Sequence, residues 1–85
     1  MVSLTDRQRQ ICLLLSVGQT AKSIARLLDI GVRTVELEKQ QIAASLKIPT
    51  RQLTIWAVEN RTDLFNAIKD MKAVPKSILD LVRLT

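Results

Sequence analysis

The sequence predicts an all-α fold, a four-helix helix-turn-helix domain with a two-helix C-terminal extension. Three observations carry this. Apolar residues recur at helical spacing along the whole chain, with no strand-like alternation and only two Gly and two Pro in 85 residues. Four short amphipathic segments follow one another between Leu4 and Arg51 with almost nothing between them. The centre of that stretch, Thr20 to Val35, reads as a short helix, a break at Asp29-Ile30-Gly31 and a second helix with a polar outer face. Two helices joined by a short turn containing Gly form the unit whose second helix enters the DNA major groove.

Each helix has its own local signals. Helix 1 starts at Thr5, because Thr5-x-x-Gln8 is a capping box and Asp6 suits the positive N-terminal dipole. Ile11, Leu14 and Leu15 form its inward stripe, and Gly18 ends it in a left-handed conformation. Thr20 caps helix 2, which turns Ile24, Ala25, Leu27 and Leu28 to the core. Gly31 or Val32 opens helix 3, which is expected to run to about Lys47. Ile48-Pro49-Thr50 breaks it, and Thr50 is expected to cap helix 4 through about Asn60. Thr62-Asp63 starts a fifth helix with Leu64, Phe65, Ile68 and Met71 on one side. Ala73-Val74-Pro75 interrupts, with Pro75 as a first helical residue, and a sixth helix displays Ile78, Leu79, Leu81, Val82 and Leu84. The expected division is 1–61 for the helix-turn-helix domain and 62–85 for the extension.

Composition narrows the function. Thirteen Lys and Arg against eight Asp and Glu give a net charge of +5, and nine of the basic residues lie in 1–61 against five acids there. A polyanion-binding surface therefore belongs to the first part. With no His and a single Cys at position 12, disulfides, metal-ligand clusters and the usual general bases are lacking, so neither an enzyme nor a cofactor is expected. The longest apolar run, Ile11 to Leu15, is far too short to span a membrane. A reduced cytoplasmic protein with no membrane partner is expected.

Helix 3 can be read residue by residue. At 100° per residue, Arg33, Glu36, Leu37, Gln40, Gln41 and Ala44 gather on one face, and Val35, Glu38, Ile42 and Leu46 on the other. The apolar members of the second set mark the core side. The first set is then exposed, where Gln can pair with adenine, Glu can accept from cytosine and Leu37 can meet a thymine methyl. On an arbitrary helix such a face would simply be solvated. Its place as the second helix of a helix-turn-helix gives it a reading role.

Residues 4–58 resemble the LuxR/FixJ-type (NarL/GerE-like) helix-turn-helix family. The family's opening Leu-Thr-x-Arg is Leu4-Thr5-Asp6-Arg7, its Gly after helix 1 is Gly18, and its Lys-x-Ile-Ala is Lys22-Ser23-Ile24-Ala25. Leu28-Asp29-Ile30, Thr34-Val35, Ile42 and Leu46-Lys47-Ile48-Pro49-Thr50-Arg51 continue the pattern without a gap. The chain departs from it at Gln8 for Glu, Gly31 for the capping Ser, Glu36 for a basic residue, Glu38 for a frequent His and Ser45 for Lys. Glu38, angled toward the core, either pairs with Arg51 or Arg7 or stands partly exposed without a special partner.

The resemblance implies a bacterial transcription regulator that inserts helix 3, about residues 32–47, into the major groove of double-stranded DNA in a sequence-specific manner. Base contacts are expected at Arg33, Glu36, Leu37, Gln40 and Gln41, and phosphate contacts at Thr20, Lys22, Ser23, Thr34 and Lys39. Family members commonly dimerise through helix 4, which implies a homodimer with Leu53 and Trp56 at the interface, joined by the apolar tail. RNA polymerase or another regulator is a further expected partner. With the chain starting close to helix 1, the expectation is a GerE-like stand-alone protein or a piece of a longer one. The competing reading is a divergent helix-turn-helix that no longer binds DNA and serves as a protein–protein interaction module.

Overall fold

The computed structural model describes residues 4–71 and 74–83. Six α-helices account for most of them: α1 (Asp6–Ser16), α2 (Ala21–Leu28), α3 (Val32–Leu46), α4 (Leu53–Glu59), α5 (Arg61–Ile68) and α6 (Lys76–Arg83), with a 3-10 turn, Thr50–Gln52, leading into α4. No strand occurs among the described residues.

The capping box opens α1 as its residues dictate. Thr5 Oγ1 accepts from the Gln8 amide at 3.1 Å, and the Thr5 amide donates to Gln8 Oε1 at 3.0 Å. Thr20 caps α2 with its side chain alone, its Oγ1 accepting from the Ser23 amide at 3.2 Å. Three helices end in one pattern. Beyond α1, Gly18 takes φ +85°, and the Gly18 and Gln19 amides donate to the Leu15 and Leu14 carbonyls, both at 3.0 Å. Asp29 (φ 55°) ends α2 and Lys47 (φ 58°) ends α3 with equivalent bonds, from Ile30 to Ala25 at 3.0 Å and from Ile48 to Ala43 at 3.1 Å. In the helix-turn-helix turn it is therefore Asp29, and not Gly31, that takes the left-handed conformation. Gly31 has φ −72° and serves as the N-cap of α3 without a side-chain bond.

The start of the fourth helix differs from expectation. Thr50 does not cap it: Pro49 opens a 3-10 turn whose Gln52 amide donates to the Pro49 carbonyl at 2.9 Å, and α4 follows at Leu53 with no side-chain cap. Pro49 takes the N-cap position itself, extended at φ −63° and ψ 145°, which leaves Thr50 inside the turn instead of ahead of it. The fifth helix begins one residue earlier than expected, at Arg61, sharing Asn60 with the end of α4.

One apolar cluster runs through the described chain, and α1 is its axis. Residues 10–16 are buried at every position, Gln10 and Ser16 included, so the expected stripe of Ile11, Leu14 and Leu15 is only part of what α1 hides. The reason is the tail. α1 packs on α3 and α4 and also on α5 and α6, which enclose it from the other side. Leu64, Ile68, Val74, Ile78, Leu79 and Val82 join the same cluster as Ile24, Val35, Ile42 and Leu53, while Phe65, Met71 and Leu81 are half-buried against it. Leu84 and Ala73 lie outside the described residues.

Two polar contacts fasten the tail. Arg61 Nε donates to Ser16 Oγ at 3.2 Å and Arg61 Nη2 to the Ser16 carbonyl, at the C-terminal end of α1. At the other end of the tail, the Arg83 guanidinium lies 5.8 Å from the Phe65 ring centroid, a cation–π contact between α6 and α5.

Candidate nucleic-acid interface

α2 and α3 pack directly on each other, and the burial of α3 alternates with its pitch. Val35, Ile42 and Ala43 are buried and Leu46 is half-buried, which anchors one face of α3. Arg33, Glu36, Leu37, Gln40, Gln41 and Ala44 are all exposed on the other. Leu37 is 48% exposed, an apolar side chain presented to solvent within a polar strip. With α3 fifteen residues long, this strip extends over its first three turns, a length suited to a major groove.

The start of α2 lies on the same unit. Thr20 and Lys22 are exposed, whereas Ser23 is half-buried and its hydroxyl donates to Gln19 Oε1. Thr34 is half-buried at the first turn of α3. A shallow depression follows the turn between the two helices, lined by Lys22 and Arg26 of α2, Asp29 of the turn and Val32 of α3. Lys22, Arg26 and Arg33 are exposed and form no ion pair among the described residues, which leaves three cations free around this face. Lys39 is placed differently: its Nζ lies 3.9 Å from Glu36 Oε1, one turn back, with its side chain only 21% exposed.

Glu38 is half-buried and forms no ion pair with Arg7 or Arg51. Of the two readings of this residue, the structure matches the partly exposed acid without a special partner.

On α4, Leu53 and Ala57, four residues apart, point into the core and are fully buried. The expected interface position of Leu53 is thereby corrected, since a side chain with no exposed surface offers none to a partner. The apolar side chains on the opposite side of α4 are Ile55, 62% exposed, and Val58, 47% exposed. Trp56 is half-buried between two hollows, one of about 520 Å³ shared with Leu4, Leu46 and Leu64 and one of about 330 Å³ shared with Ile48 and Ile55. Ile55 and Val58 were legible as apolar but not as outward, because a seven-residue helix preceded by a 3-10 turn has a phase that its sequence does not reveal.

A buried α1, a helix pair α2–α3 joined by a tight turn and an exposed polar strip on the second of them together define a helix-turn-helix domain. The model of the bacterial regulatory proteins of the luxR family matches residues 2–57, well over half of the chain, and the chain belongs to that family. At the level of the family it is a DNA-binding transcription regulator. Neither a curated protein nor a solved structure matches it. No helix among the described residues is long and apolar enough to cross a membrane.

Proposed function

We propose that this protein regulates bacterial transcription, in the cytoplasm, by inserting α3 into the major groove of a specific operator. The observation that carries this reading is the outward strip of Arg33, Glu36, Leu37, Gln40 and Gln41 on a helix whose opposite face is buried. These are the side-chain types that meet base edges. Thr20, Lys22, Ser23 and Thr34 at the N-terminal ends of α2 and α3 then meet phosphates, which fix the orientation of the domain on the duplex. Lys39 takes part through Glu36.

The active form is a homodimer joined through α4, by Ile55 and Val58 with the half-buried Trp56 beside Ile55. A dimer sets two recognition helices one turn of DNA apart, about 34 Å, and turns a weak half-site contact into a specific one. The described part of the extension, 62–71 and 74–83, acts as an internal cover for α1 and shares its core. RNA polymerase or another regulator is the partner that a bound dimer would engage.

Selection from a pool of randomised duplexes tests this reading. Enrichment of an inverted repeat with half-site centres about ten base pairs apart is the expected result. Recovery of no common sequence by a folded protein would favour the protein–protein module, a reading to which the acids at Glu36 and Glu38 lend weight.

A further inference from the structure

Glu36 stands where a carboxylate should weaken every DNA contact. It is exposed on the strip, between Arg33 one turn before and Gln40 one turn after, and it is the one acid among the five outward residues from Arg33 to Gln41 named above. A lone carboxylate at the groove would be repelled by the phosphates on either side. This carboxylate is not alone. Lys39 Nζ stands 3.9 Å from Oε1, on the following turn of the same helix, so the two charges cancel locally. The pair occupies only one oxygen. Oε2 has no partner among the described residues, and the Glu36 side chain is 49% exposed.

We infer that the Glu36–Lys39 pair is a base-reading unit in which Glu36 accepts a hydrogen bond from the exocyclic amine of a cytosine while Lys39 cancels its repulsion by the backbone. This inference rests on the DNA-binding reading above and adds the identity of one base. Only two bases present a donor in the major groove. Cytosine offers its N4 amine, and adenine offers its N6 amine beside the N7 acceptor. A carboxylate has no proton to give to N7, and the acceptors O6 and N7 of guanine and O4 of thymine oppose it as well. Cytosine is the base whose edge suits it. The amide of Gln, which donates and accepts, suits adenine instead.

The two members of the pair have separable roles, and this makes the unit testable in the full chain. Site selection is run with the wild type, Glu36→Gln and Lys39→Met, and affinities are then measured on the selected duplex and on the same duplex with one C·G pair changed to T·A. Glu36 is exposed and the half-buried Lys39 lies outside the apolar core, so circular dichroism should show all three proteins folded alike. The wild type should prefer the C·G duplex by roughly five-fold or more. Glu36→Gln should lose that preference or transfer it to adenine. Lys39→Met should keep the preference and bind every sequence more weakly, because the Glu36 carboxylate then faces the phosphates uncompensated. Equal selection by wild type and Glu36→Gln would overturn the inference and leave the DNA reading intact. Failure of the wild type to bind any duplex would overturn the DNA reading itself, and the inference with it.

Discussion

Arg61, the first residue of α5, reaches back to Ser16, the last residue of α1, and satisfies two oxygens there. Its Nε donates to the Ser16 hydroxyl and its Nη2 to the Ser16 carbonyl, while that hydroxyl donates in turn to the Leu13 carbonyl at 2.6 Å. A cation at the negative end of α1 is favourable in itself, and the planar guanidinium supplies two donors in one orientation. This contact fixes where the tail leaves the four-helix part. Arg61→Ala should lower stability by about 1–2 kcal/mol, and Arg61→Lys should recover little of it, because an ammonium cannot span both oxygens in that geometry. Urea unfolding checks this through a lower midpoint at unchanged slope.

Removal of the tail should be far more damaging. Leu64, Ile68, Ile78, Leu79 and Val82 are buried, and each contributes roughly 1.5–3 kcal/mol relative to exposure. A chain ending at residue 61 should therefore show no cooperative thermal transition and should expose the apolar face of α1. A sharp transition near that of the full chain would show that the first four helices are a self-sufficient unit.

Much of this was legible in the sequence, for a physical reason that varies along the chain. Thr5 with Gln8, Gly18 and Thr20 act on backbone groups within a few residues of themselves, so their roles follow from local pattern. The strip from Arg33 to Gln41 follows from helical pitch alone. What was hidden depends on distant or competing choices. Arg61 and Ser16 are 45 residues apart, and no local signal pairs them. Asp29 takes the left-handed position although Gly31 is two residues away, because the first non-helical residue after Leu28 must close the Ala25 and Arg26 carbonyls. The outward phase of Ile55 was concealed by the 3-10 turn before α4.

Two cap positions leave stability to gain. Gly31 lies in an ordinary extended conformation, and a Cβ there would meet only Thr34 Oγ1, at 3.8 Å. Gly31→Ser should supply the missing cap acceptor and add a few tenths of a kcal/mol, ~0.5 at most. Lys47 holds φ 58°, which costs a residue with a Cβ, so Lys47→Gly should add about 0.5–1 kcal/mol. Shifts in melting temperature check both, and a decrease for Lys47→Gly would mean that the Lys side chain contributes more than its backbone costs.

Cys12 is fully buried in α1, and burial pushes its thiol up from 9.0 to about 12. Below pH 9 the thiol is protonated in folded and unfolded chains alike, and this group has no effect on stability. Between pH 9 and 12 the unfolded chain releases a proton that the folded chain retains, so stability falls by up to about 1.4 kcal/mol per pH unit. The difference in alkaline stability between wild type and Cys12→Ala isolates this contribution from that of the lysines. A thiol reagent at pH 8 should modify Cys12 only in denaturant.

In the proposed dimer, the outward face of α4 forms the interface. Ile55→Asp should leave the monomer's stability nearly unchanged, since the residue is exposed, yet abolish self-association. Sedimentation equilibrium should show a wild-type dimer and a monomeric variant, with operator affinity reduced in parallel. A wild-type protein that remains monomeric at high micromolar concentration would contradict the dimer.

Binding to random-sequence duplex DNA as a function of salt tests the central claim most directly. If α2 and α3 dock on the duplex, log K falls linearly with log salt, and Lys22→Ala lowers affinity on all sequences and shallows the slope by about one unit. A folded wild-type protein that shows no association at ~50 mM salt, where counterion release is strongest, would contradict DNA binding by this chain.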